Sequence, residues 1–183
     1  MSEIQVASRY AKSLIDLAEE QNSLEAIKTD IAAFIQICKE NSQFLAVLRN
    51  PIISPDKKIG ILNSLFAGKV NPMILAFFKI MVNKGRSGVL YPTAKEFVNE
   101  YNKRKGIVNA TVISATSLSD ENKSQLVQVI KEATSADEII LETQVNSELI
   151  GGFVLRVGDR QFDASIANRL QKLKKEFAQK VVL

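Results

Sequence analysis

The chain has 183 residues, 46% of them hydrophobic and 24% charged, with a formal net charge of +4. That composition admits one large domain or two small ones and excludes a disordered chain. There is no histidine and one cysteine, Cys38, which removes Ser-His-Asp and Cys-His nucleophilic systems, a structural zinc site and an internal disulfide. The longest apolar stretch, Met73 to Val82, is interrupted by Lys79 and is too short to span a bilayer. The chain opens Met1-Ser2-Glu3 with no cleavable apolar segment, so it reads as a mature cytosolic-side protein without direct membrane insertion. These counts point to a binding protein with no cofactor and no metal.

Up to Lys105 the apolar positions recur with helical spacing. In the first helix Ile4, Ala7, Ala11, Leu14, Ile15 and Ala18 form one stripe, and from Leu24 to Lys39 another runs through Ile27, Ile31, Phe34, Ile35 and Cys38. Asn50-Pro51 breaks the chain. Ser54-Pro55-Asp56 reads as N-cap, N1 proline and first-turn acid of a new helix, and Asn71-Pro72 repeats the start signal. Gly85 is a stop, and a further helix through Leu90, Ala94, Phe97, Val98 and Tyr101 ends at Lys103-Arg104-Lys105. Periodicity alone gives five or six helices.

At Gly106 the pattern changes. Ile107 to Ala115 and Glu138 to Val145 are short and β-branched, and so predict strands. Between them Ser119-Asp120-Glu121 opens a helix carrying Leu126, Val127, Ile130 and Ala133. Phe153 to Val157 and Arg160 to Asp163 flank Gly158-Asp159 as a hairpin. A last helix from about Ser165 carries a narrow stripe of Ile166, Leu170, Leu173 and Phe177. The expected architecture is a helical domain over residues 1–105 followed by a small α/β domain over 106–183. Charge divides with it: residues 1–105 hold 15 basic and 10 acidic side chains, residues 106–183 hold 9 and 10.

Apparent catalytic motifs have simpler explanations. Ser54-Pro55-Asp56-Lys57 matches S-x-x-K, but the companion S-D-N and K-T-G elements are missing, and capping accounts for the serine, proline and aspartate. Gly151-Gly152 lacks the spacing and following helix of a dinucleotide loop, and Gly68-Lys69 is followed by Val70 rather than Ser or Thr. Asp159 and Asp163 suit a turn and a helix start better than an acid/base pair.

Helical-wheel arithmetic finds more apolar surface than one core requires. In the first helix Val6, Tyr10 and Leu17 widen the stripe, with Ser13 between them. From Pro72 to Lys84 the apolar residues leave only a narrow polar strip at Lys79 and Asn83. Such a helix is either central in its domain or offers a second face to a partner.

The segments ASRYAKSLIDLA, NKGR (Asn83 to Arg86) and GGFVLRVGDRQFDASIANRLQKLK occur in this order along the chain. Together they resemble the delta subunit of F-type ATP synthases, the family of the mitochondrial oligomycin-sensitivity-conferring protein. The resemblance implies a non-catalytic stator subunit, present once per complex, that joins the catalytic head to the peripheral stalk and holds the head against rotor torque. It implies a six-helix first domain whose first and fifth helices form a groove for the N-terminal helix of an alpha subunit. The second domain is expected to meet the b-type stalk subunits. The location implied is the cytoplasmic face of the bacterial plasma membrane. The expected groove lining is Val6, Tyr10, Ser13 and Leu17 with Met73, Phe77 and Ile80, the edges left once each helix has its core stripe. Gly151, Gly152, Arg156, Gly158, Asp159, Asp163 and Ser165 carry the C-terminal resemblance and read as mainly structural. The alternative is a two-domain basic adaptor for nucleic acid, which steep salt dependence of binding would distinguish.

Overall fold

The computed structural model describes residues 3–134, 136–158 and 160–180. They fall into two units, Met1–Asn102 and Lys103–Leu183.

The first unit holds α1 (Glu3–Glu20), α2 (Leu24–Glu40), α3 (Ser42–Arg49), α4 (Pro55–Phe66) and α5 (Pro72–Asn83). A 3-10 turn at Ser87–Val89 leads into α6 (Leu90–Arg104), whose last turn crosses the boundary between the units. On α1 the buried stripe is Ala7, Ala11, Leu14, Ile15 and Ala18, where the alanines let neighbouring elements approach closely. Ile4, expected on that stripe, lies in the first turn of α1 and is 69% exposed. On α2, Ile27, Ile31, Phe34 and Cys38 are buried, as the helical period requires. The centre of this core is aromatic: Phe34 stacks against Phe78 at 4.7 Å between ring centroids and contacts Phe44 and Phe66. Asn71 caps α5 by accepting from the Met73 N–H at 2.9 Å, and its own N–H donates to Asp30 Oδ2 at 2.7 Å. Ser54 occupies the N-cap position of α4, yet its side chain makes no capping bond. The start of α4 rests instead on Pro55 at N1 and on the Ser54 carbonyl, which accepts from Lys58 N–H at 3.2 Å.

The second unit holds β1 (Ile107–Ser114), α7 (Asp120–Thr134), β2 (Glu138–Val145), β3 (Phe153–Val157), β4 (Arg160–Asp163) and α8 (Ile166–Lys180). The sheet order is β2-β1-β3-β4. Because α7 carries the chain back across the sheet, β1 and β2 pair in parallel, Ile107 opposite Glu138. Strand β3 returns antiparallel to β1, and the β3–β4 hairpin completes the sheet. Alternation along β1 buries Ala110, Val112 and Ser114. The chain is therefore mostly helical, with a small mixed C-terminal sheet. The narrow stripe on α8 lies on an accessible face, and Ile166, Leu170, Leu173 and Phe177 are all exposed.

Candidate partner-binding site

The apolar excess of α5 divides unequally around the helix. Ile74, Phe78, Met81 and Val82 enter the core, Met73 and Phe77 stay half-buried, and Ile80 is 53% exposed. On α1 the flanking row behaves similarly: Val6 and Tyr10 are half-buried, Ser13 is exposed, and Leu17 is 39% exposed. The two rows meet at Tyr10 and Phe77, whose rings lie edge to face with centroids 6.2 Å apart and planes at 74°. Ser13 Oγ donates to the Arg9 carbonyl at 3.0 Å, so its hydroxyl is satisfied within the helix and its small bulk leaves space above it.

Val6, Tyr10 and Ser13 share a depression of about 330 Å³ with Arg9 and Arg86. Leu17 of α1 and all three expected α5 residues, Met73, Phe77 and Ile80, do not line it. The two arginines were not singled out by the apolar pattern. Arg86 follows the end of α5, and the folded chain brings its guanidinium over the Tyr10 ring, 5.7 Å from the centroid. Two cations, Arg9 and Arg86, thus line the same trough as Val6, Tyr10 and Ser13. The signal available in the sequence was Arg86 within the NKGR segment, but its distance from Tyr10 is a tertiary fact.

The C-terminal motif ties the start of α8 to the Gly151–Phe153 segment. Ile166 N–H donates to the Gly151 carbonyl at 2.9 Å, and Ala164 N–H donates to the Phe153 carbonyl at 3.0 Å. Gly152 has φ +76°, and a Cβ there would strike the Ala164 carbonyl oxygen and come within 3.1 Å of Ser165 Cα. Ser165 is buried; its Oγ accepts from Asn168 N–H at 3.2 Å while its own N–H donates to Asp163 Oδ1 at 2.9 Å. Hydrogen bonds from the Ser165 side chain and backbone hold the Asp163 carboxyl below the ordinary carboxylate range. Asp163 is therefore an ionised cap residue, a poor candidate for a proton donor. Arg156 Nε donates to Gln161 Oε1 at 2.8 Å across the hairpin, where Gly158 turns at φ +58°. Asp159 lies outside the described residues. Among the described residues no group of three or more Cys, Asp and Glu side chains is placed to hold a metal ion, and no helix is long and apolar enough to cross a membrane.

A trough lined by two arginines beside the Tyr10 ring, and a second unit whose last helix keeps four large apolar side chains exposed, suit a protein that works by binding other macromolecules. The sequence model of the ATP synthase delta (OSCP) subunit family matches residues 6–177. The ATP synthase subunit delta of Cytophaga hutchinsonii is 34% identical over 182 residues, covering 100% of this chain and 99% of that protein. That of Amoebophilus asiaticus is 37% identical over 177 residues, covering 97% and 96%. A chain in the cryo-EM structure of the Toxoplasma gondii mitochondrial ATP synthase hexamer shares the fold, with a TM-score of 0.74 at 21% identity and coverage of 94% and 97%. The chain belongs to the ATP synthase delta (OSCP) subunit family. It is a non-catalytic stator subunit of F-type ATP synthase, and these relatives lend no support to the nucleic-acid adaptor.

Proposed function

We propose that the first unit is a six-helix bundle that grips the N-terminal helix of an alpha subunit between α1 and α5. The second unit holds the b-type subunits of the peripheral stalk. One copy per complex, at the cytoplasmic face of the bacterial plasma membrane, then transmits the resisting torque. The observation that carries the reading is the Tyr10–Phe77 contact, where two half-buried aromatic rims meet beside exposed Leu17 and Ile80. An amphipathic helix laid there would cover side chains that the unit's own core leaves uncovered. On the second unit, the stripe Ile166, Leu170, Leu173 and Phe177 offers the same chemistry to a stalk helix.

Calorimetry of the full chain with a peptide of the alpha N-terminal helix tests the first part. Tyr10→Asp and Ser13→Asp each place a charge in the trough and should abolish binding while the circular dichroism spectrum is retained, since anchors in such grooves contribute about 2 kcal/mol or more. Unchanged affinity in either variant rejects the groove. For the second part, Leu170→Glu combined with Leu173→Glu should remove binding to the stalk subunits and leave the alpha peptide bound.

A further inference from the structure

The first unit contains a second recess, of about 770 Å³, between the α3–α4 connection, the end of α5 and the 3-10 turn. Three cations line it, Arg49, Lys58 and Arg86, against the single carboxylate of Glu3. Lys58 is the unusual member. It occupies the buried face of α4, in phase with Leu62 and Phe66, and is 5% exposed. Its Nζ donates to the Leu48 carbonyl at 3.1 Å and to Ser87 Oγ at 2.8 Å, and Ser87 Oγ donates onward to the same carbonyl at 2.7 Å.

Both acceptors are neutral, while an ammonium brings three donors and a full charge. The carbonyl end of α3 supplies only a partial negative charge. Among the described residues no carboxylate forms an ion pair with Arg49, Lys58 or Arg86, and Glu3 pairs with none of them. Capping of α3 explains the position of Lys58 but not two further arginines around an open recess. A buried cation without a counter-charge is unfavourable unless an anion completes it. Ile53 and Val82 provide apolar wall beside the cations, which suits a carboxylate on an aliphatic stem. Arg86 also lines the Tyr10 depression, so the recess and the α1/α5 groove share a residue.

We infer that this recess is a carboxylate-accepting subsite continuous with the groove, and that the helix bound in the groove places an acidic side chain from its flank there. The inference rests on the groove reading above. The guanidinium forks of Arg49 and Arg86 suit a planar carboxylate, and the Lys58 ammonium adds a charge with little competing solvent.

The test uses the full chain and two synthetic peptides spanning the alpha subunit's N-terminal helix: the native sequence, and one with every Asp and Glu replaced by its amide. Calorimetry should find the amide peptide about ten- to a hundredfold weaker, the range of charge-assisted bonds. The exposed Arg49→Gln variant should weaken the native peptide and shrink the difference between the two peptides, as coupled groups do. Lys58→Met, its fold checked by circular dichroism, should do the same. Equal affinity of the two peptides overturns the subsite and leaves the groove standing. So does an amide penalty that persists in full in both variants. A native peptide that fails to bind the unaltered protein overturns the groove reading, and this inference with it.

Discussion

Replacing Gly152 by alanine separates two reasons for a glycine. The first is conformational: at φ +76° an alanine carries the left-handed penalty, about 1–2 kcal/mol. The second is steric: the added Cβ would overlap the Ala164 carbonyl oxygen and crowd Ser165 Cα, both backbone atoms that no rotamer change can move. Relief requires the β4–α8 junction to shift, straining the Ile166 N–H to Gly151 carbonyl and Ala164 N–H to Phe153 carbonyl bonds. At about 1 kcal/mol net for each bond, the total reaches roughly 3–4 kcal/mol. A unit of about 80 residues holds only about 4–12 kcal/mol at typical per-residue stability, so the loss is a large fraction of it. Gly158 is the internal control, with φ +58° but open space around its missing Cβ, so Gly158→Ala should lose only the conformational part. Native-state hydrogen exchange on the full chain, read at β1 and β3 amides, measures both. Protection should fall more than a hundredfold in Gly152→Ala and about tenfold in Gly158→Ala, at 1.4 kcal/mol per decade. Equal losses would refute the close approach of Gly152 to the start of α8, and no loss in either would refute the need for positive φ.

Three further outcomes follow from packing and titration. Phe34→Ala removes the ring that contacts Phe44, Phe66 and Phe78 and should destabilise the first unit by about 3–5 kcal/mol in urea unfolding. Burial pushes the Cys38 thiol up to about 12, so the folded protein should resist iodoacetamide at neutral to mildly alkaline pH and react only as it unfolds, at a rate that urea accelerates. The Asp163 carboxyl is held below its ordinary value of 3.8, so its contribution is present above that value and is lost as pH falls through the lower folded-state value. Asp163→Asn should therefore flatten the acid limb of a thermal-stability profile.

Local signals were legible where one residue type has one strong local use. Pro55 and Pro72 mark helix starts because the first turn needs no N–H, and Asn71 caps as its type predicts. The β-branched runs became β1 and β2 because only a strand packs them well. Sheet order was not legible, since it depends on where α7 returns the chain and on β3 choosing the free edge of β1. Ser54 shows the limit of residue type: it stands in the capping position without making the bond. Lys57 and Lys58 are neighbours of the same type, yet helical phase exposes one and buries the other beside Leu62. A buried lysine breaks the apolar pattern that phase is normally read from.

Apolar surplus on a helical wheel is a matter of stripe width. Width proved a poor guide to exposure in α5, where four of the apolar side chains enter the core and the half-buried rims narrow the free surface to the Phe77–Ile80 edge. The single narrow stripe of α8, by contrast, looks like an ordinary core face but keeps Ile166, Leu170, Leu173 and Phe177 exposed. The first turn of α8 is tied down through Ser165 and the Gly151 carbonyl. Periodicity states that a face exists and leaves open what covers it, because covering is decided by elements distant in sequence. A wide stripe can be enclosed by several neighbours and a narrow one by none. In a stator subunit the second case is informative, since an uncovered stripe on a terminal helix has to be balanced by a partner or carried as exposed apolar surface. If α8 packs on the stalk, Leu170→Glu should weaken assembly far more than it lowers the stability of the second unit, because about half of the side chain is exposed, at 52%. A core stripe would show the opposite order of effects, and that comparison decides which kind of face α8 presents.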